Sequence, residues 1–126
     1  MPQEVPAVAT TLDTDRLFAA IDARDAQAFA AFLAEDAEFR FGNAPPVCGR
    51  EAIEAYVGAF FEALGGVSHR VEALWITGDR LACHGEVRYE RRDGSALTVP
   101  FANVLYLEGD RVARYLVFID NSALFA

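Results

Sequence analysis

VSHRVEALWITGDRLACHGEVRYERRDGSALTVPFANVLYLEGDRVARYLVFI, residues 67–119, decides the fold. Its apolar residues recur largely at every second position, the period of a strand with one buried face. The interruptions at Gly78-Asp79, Asp93-Gly94 and Glu108-Gly109-Asp110 are the chemistry of tight turns between antiparallel strands. The stretch predicts four strands, at 67–77, 80–91, 96–107 and 111–119, joined as a meander. Immediately upstream, Ile53, Tyr56, Val57, Phe60, Phe61 and Leu64 fall on one helical face, which predicts a helix over 50–64. Gly65-Gly66 is expected to end that helix in a left-handed cap. Consecutive prolines make 42–49 a rigid loop, and before it Ala37, Phe39 and Phe41 alternate with Glu38 and Arg40 as a strand does. Two helices open the chain, at 13–24 and 25–34, with Asp13 and Asp25 placed to cap them.

The predicted order is ααβαββββ, an α+β domain whose helices gather on one side of a curved, mainly antiparallel sheet and leave a conical cavity. A chain of 126 residues, 53% hydrophobic, is one domain. Residues 1–11 are expected to be a flexible arm and 12–126 the folded unit. Acids outnumber bases 19 to 11, which argues against a nucleic-acid or anionic-membrane surface. All the basic residues are Arg, to which no function attaches. No apolar run is long enough for a membrane span or signal peptide, so a cytoplasmic location is expected. Cys48 and Cys83 lie far apart without a CxxC pair or His/Cys cluster, so two reduced thiols and no metal are expected. GxSxG, GxGxxG and P-loop patterns are absent, which argues against serine hydrolase, dinucleotide and phosphate-loop chemistry.

AEDAEFRFGNAPPVCGREAIEAYV, residues 34–57, resembles the strand, Pro-containing loop, Gly-Arg-Glu and third helix of the NTF2-like superfamily, in particular its SnoaL-like and ketosteroid-isomerase-like members. FANVLYLEGDRVARYLVFID, residues 101–120, resembles that superfamily's last hairpin and its common terminal Asp, here Asp120. The resemblance runs from Leu12 to Phe125 and implies an NTF2-like cone, homodimeric through its sheet, with a pocket for a small hydrophobic molecule and no cofactor. It does not imply one activity, since isomerases, epoxide hydrolases, polyketide cyclases, dehydratases and binding proteins share the fold.

Known catalytic sets of the superfamily are incomplete. At the steroid isomerase positions stand Leu17 for a Tyr, Phe41 for the general-base Asp and Asn103 for the hydrogen-bonding Asp. At the epoxide hydrolase positions Asn43 matches, whereas Phe41 and Val117 replace a Tyr and an Asp, and Glu86 and Arg88 stand in reversed order. No carboxylate aligns with that of the polyketide cyclases.

The candidate site lies on residues 81–91, where Ala82, His84, Glu86, Arg88 and Glu90 alternate with Leu81, Cys83, Gly85, Val87 and Tyr89. Alternation by itself sends the polar face to water. The resemblance implies the reverse, with the even-numbered residues inside the cone and Leu81, Val87 and Tyr89 against a second subunit. In that register Glu86 is the acid/base, Arg88 holds an anion or carbonyl, and Asn103 donates a hydrogen bond to a carbonyl oxygen. Tyr56, His84, Phe101 and Tyr115 are the expected substrate-binding residues, with Phe60, Trp75 and Leu105 as further candidates for the wall. His69 is expected at an exposed edge without a partner, and Asp120 either caps the C-terminal segment or takes part in chemistry. The expected function is acid/base chemistry, such as isomerisation, cyclisation or dehydration, on a small hydrophobic carbonyl compound. The alternative is a non-catalytic ligand-binding or protein-interaction domain. A third reading has a vestigial, filled pocket and the open sheet face as an assembly surface.

Overall fold

A computed structural model describes residues 12–125, so the expected arm at 1–11 lies outside it. The elements are α1 (Thr14–Asp22), α2 (Ala26–Ala30), β1 (Leu33–Phe41), β2 (Val47–Cys48), α3 (Arg50–Glu62), β3 (Leu64–Thr77), β4 (Arg80–Arg91), β5 (Ala96–Glu108) and β6 (Arg111–Ile119). They form three helices on a six-stranded sheet of order β2-β1-β6-β5-β4-β3. Only β1 and β6 run parallel; the other neighbouring pairs are antiparallel. This is an α+β NTF2-like cone. Among the described residues no helix is long and apolar enough to cross a membrane.

Both predicted caps are present: Asp13 accepts from the Arg16 amide at 3.1 Å and Asp25 from that of Ala28 at 3.0 Å. The helix ends differ from expectation. α2 stops at Ala30, because Leu33 and Ala34 already belong to β1. α3 stops at Glu62 with Ala63 as a right-handed C-cap, and Gly65-Gly66 lie in β3. A Cβ on Gly65 would stand 2.9 Å from the Arg91 carbonyl, so the glycine serves close strand approach and not a left-handed cap. The Pro loop does end β1, but Val47–Cys48 then returns as a two-residue strand opposite Phe39 and Glu38.

Odd-numbered residues of the central strands face the helices. Leu81, Cys83, Val87 and Tyr89 on β4 and Phe101, Asn103, Leu105 and Leu107 on β5 are all buried, together with Leu17, Phe29, Ile53 and Tyr115. Facing on β4 is therefore the reverse of that implied by the resemblance, and Leu81, Val87 and Tyr89 belong to the protomer's own core. The physical reason is desolvation: turning Glu86 and Arg88 inward would strip two charges of water, while Leu81, Val87 and Tyr89 would lose their apolar burial. Gly85 shares the inward face and lets β3 bulge towards β4 between Val71 and Ala73. A Cβ there would sit 1.9 Å from the Arg70 carbonyl oxygen.

Candidate functional site

The concave side of the sheet, closed by α1, α2 and α3, encloses a cavity of about 60 Å3. Its wall is mostly apolar, with Ile21, Phe29, Phe39, Phe41, Phe60, Phe101, Val67, Val87 and Val117 among its residues. Polar atoms come from His69, Asn103, Tyr56, Tyr89 and Tyr115, and among the described residues no Asp, Glu or Arg lines it. Burial pushes the hydroxyls of Tyr89 and Tyr115 above the usual tyrosine range, so both stay protonated. They can hydrogen-bond but will not act as bases.

His69 takes its place from the pleat of β3. It pairs with Val87 and shares the inward face with buried Val67, so its ring turns into the cavity wall. Phe18 and Phe101 each hold the ring at a centroid distance of 5.1 Å. Asp22, the last residue of α1, closes on it from the opposite layer: Nδ1 stands 2.6 Å from Asp22 Oδ1, and the His69 backbone N–H donates to Asp22 Oδ2 at 3.1 Å. β3 is an edge strand, and the carboxylate occupies a backbone donor on its free edge. The two side chains are 10% and 31% exposed, a position that limits but does not exclude water. A carboxylate at Nδ1 holds the proton of the neutral ring there and leaves Nε2 as an acceptor.

Asn103 stands on β5 directly across from Cys83 on β4, and is 3% exposed. Burial pushes the Cys83 thiol up to about 11, while hydrogen bonds from the Asn103 backbone and side chain pull in the other direction. The amide oxygen, Oδ1, is buried without a partner. Its free capacity is that of an acceptor. From His69, the register runs to Val87 and then Val99, and Asn103 lies four residues further along β5. The two polar residues therefore occupy different ends of the wall.

Tyr56, Phe101 and Tyr115 line the same cavity. Glu86, Arg88 and His84 do not, because they point from the opposite face of β4. Glu86 instead meets Arg70 at 2.8 Å in a pair whose side chains are about half exposed, a surface bridge of small energetic weight. His84 stacks on Trp75 at 5.8 Å on the outer surface, so Trp75 is not a wall residue either. Asp120 accepts from the backbone and hydroxyl of Ser122, as a cap does. Among the described residues no group of three or more His, Cys, Asp or Glu is placed to hold a metal.

The pairing of His69 with Asp22 escaped the sequence reading. One signal was available: His69 shares strand parity with Val67 and Val71, a polar residue in an apolar row. The other half was not, since Asp22 is 47 positions away and only the seating of α1 brings it near.

A family model for the SnoaL-like domain matches residues 14–115. The chain belongs to the SnoaL-like family. Solved structures similar to this SnoaL-like protein include an NTF2-like protein of unknown function from Burkholderia pseudomallei, 17% identical over 88% of this chain and 90% of that one, with a TM-score of 0.78. A putative SnoaL-like polyketide cyclase from Jannaschia is 15% identical over 97% and 94% of the two chains, with a TM-score of 0.77. TerC, co-crystallised with polyporic acid, is 18% identical over 88% and 91%, with a TM-score of 0.75. At these identities the likeness establishes the cone alone. No curated protein matches the sequence.

Proposed function

We propose that this SnoaL-like protein is an acid/base catalyst acting on a small, uncharged, largely hydrophobic carbonyl compound, with His69 as the proton-moving residue. The contact between His69 Nδ1 and Asp22 Oδ1, 2.6 Å long and set in the wall of an apolar cavity, carries this reading. Nε2 takes a proton from the carbon beside the carbonyl, the C–H electron pair moves onto the oxygen as an enolate, and Asp22 stabilises the imidazolium that forms. Returning the proton to another carbon gives isomerisation; loss of a β-hydroxyl, protonated by the imidazolium, gives dehydration with release of water. Asn103 anchors the far end of the ligand, while Tyr56, Phe101 and Tyr115 supply apolar surface. Glu86 and Arg88 have no part in the reaction.

Proton exchange tests it. A panel of small neutral ketones and aldehydes in D2O, followed by NMR, should reveal catalysed loss of the α-proton signal, abolished in His69→Gln and much reduced in Asp22→Asn. Exchange at the wild-type rate in a folded His69→Gln protein would remove His69 from the mechanism. A bound molecule without exchange anywhere in the panel would favour the non-catalytic binding reading.

The partner we propose is a second copy of the chain, docked on the outer sheet face. Trp75 and Phe118, each 56% exposed, stand at opposite sides of a strip containing Ala82 and Ala102, their cross-strand neighbours. A two-fold axis would set the bulky residues of one copy against the small ones of the other. Native mass spectrometry should give a dimer that Trp75→Arg with Phe118→Arg converts to monomer; a monomeric wild-type protein would refute the pairing.

A further inference from the structure

A buried amide oxygen without a partner is unfavourable, and native interiors leave few such groups without a role. Asn103 Oδ1 is the buried side-chain atom in that condition among the described residues, and its residue lines the cavity. Cys83 stands directly across from Asn103 on the same inward face, where its sulfur is the cross-strand neighbour of the amide. A ligand carbonyl placed at Oδ1 would set lone pair against lone pair, whereas a hydroxyl would supply the missing hydrogen. An ammonium would also donate, but among the described residues no Asp or Glu lines the wall to offset a cation buried among aromatic and aliphatic side chains.

We infer that the ligand of this cavity carries a neutral hydroxyl group that donates its hydrogen to Asn103 Oδ1, and that Cys83 acts as a positioning residue by holding the amide with its oxygen inward. The inference rests on the cavity being a ligand site, and within the proposed reaction it narrows the substrate to hydroxylated carbonyl compounds. A site built around a hydrogen bond rejects an analogue that lacks the donor far more strongly than an apolar pocket discriminates by shape. Selectivity therefore resides at Asn103, and proton transfer at the other end of the wall.

Phenol, toluene and benzaldehyde separate the alternatives, since they share a ring and offer a donor, neither group, and an acceptor alone. NMR titration of the full chain should show all three shifting signals of cavity residues, with phenol bound about tenfold or more tighter than either of the others, the scale of one buried hydrogen bond. Asn103→Leu, close in shape, should remove the preference for phenol and leave toluene affinity unchanged or improved. Cys83→Ala, which frees the amide to turn, should raise benzaldehyde affinity relative to phenol and serves as a second test should Asn103→Leu not fold. His69→Gln should leave the phenol-to-toluene ratio unchanged, so loss of catalysis and loss of hydroxyl recognition are read separately. Equal binding of phenol and toluene would overturn the inference alone. Tighter binding of benzaldehyde than phenol would place the amide N–H groups inward and overturn it as well. Absence of cavity shifts with all three would overturn both the inference and the ligand-site reading beneath it.

Discussion

Replacing Asp22 by Ala removes two acceptors at once, the partner of His69 Nδ1 at 2.6 Å and that of the His69 backbone N–H at 3.1 Å. A hydrogen bond to a charged group contributes about 1.5–3 kcal/mol and a backbone one about 1 kcal/mol. Two effects offset this. The carboxylate is 31% exposed, so water can re-occupy part of its place. It also ends α1, where the helix dipole disfavours a negative charge by about 0.3–1 kcal/mol. The net expectation is a loss of about 1–2 kcal/mol, or roughly 4–8 °C in Tm for a domain of this size. Thermal and urea unfolding followed by circular dichroism at pH 7 measure it. Asp22→Asn, which retains one acceptor oxygen, should fall between Ala and wild type. If Asp22→Ala is as stable as wild type, the dipole and hydration effects match the two bonds, and Asp22 does not fasten α1 to β3. If it is more stable, the carboxylate is retained at a cost, as expected only of a group kept for chemistry.

Further outcomes follow from other contacts. Gly85→Ala places a methyl 1.9 Å from the Arg70 carbonyl, and β3 must shift to admit it, so a loss of about 3 kcal/mol or more, or an insoluble protein, is expected in expression and unfolding assays. Glu86→Gln and Arg88→Gln should each change stability by less than about 0.5 kcal/mol and leave α-proton exchange intact; a large fall in exchange would restore the outer face as the reaction site. Iodoacetamide should modify exposed Cys48 in the native protein and reach buried Cys83 only after unfolding, as peptide mass spectrometry will report. The raised Cys83 pKa favours the neutral thiol in the folded state, so its contribution is complete below pH 9 and is lost between pH 9 and about 11. Cys83→Ala should lack the first part of that alkaline loss, before the tyrosines contribute above pH 10.

Much of the fold was legible because its signals are local. Asp13 and Asp25 cap as their positions predict, and the glycine turns divide the meander where expected; at Gly78 the left-handed φ of 59° shows why glycine stands there. Gly65-Gly66 misled because the same residue type serves both a helix cap and close strand contact, and only the opposing Arg91 carbonyl decides between them. On β4 the two available arguments disagreed, and plain alternation of polar and apolar residues gave the correct facing. That facing keeps Glu86 and Arg88 out of the cavity wall and leaves His69 in it, beside Asn103, Tyr56, Phe101 and Tyr115. His69 was overlooked because its partner is remote in sequence, and tertiary docking of a helix on an edge strand leaves no local mark.

The parallel pair that joins β1 to the meander also orders events at the ribosome. β1 pairs with β6, as in Phe39 opposite Tyr115, across 76 positions of chain, and Arg114 reaches Glu38 at 3.4 Å over the same span. At roughly 5–20 residues per second, synthesis leaves β1 waiting about 4–15 s for that neighbour. Throughout that interval its partner on one side is the two-residue β2, and its apolar residues Phe39 and Phe41 have an unpaired edge beside them. The nascent chain thus spends its most adhesive period with the two halves of its sheet unjoined. Chains that terminate before β6 should be retained by chaperones or degraded, because the strand that unites the halves is the last one made.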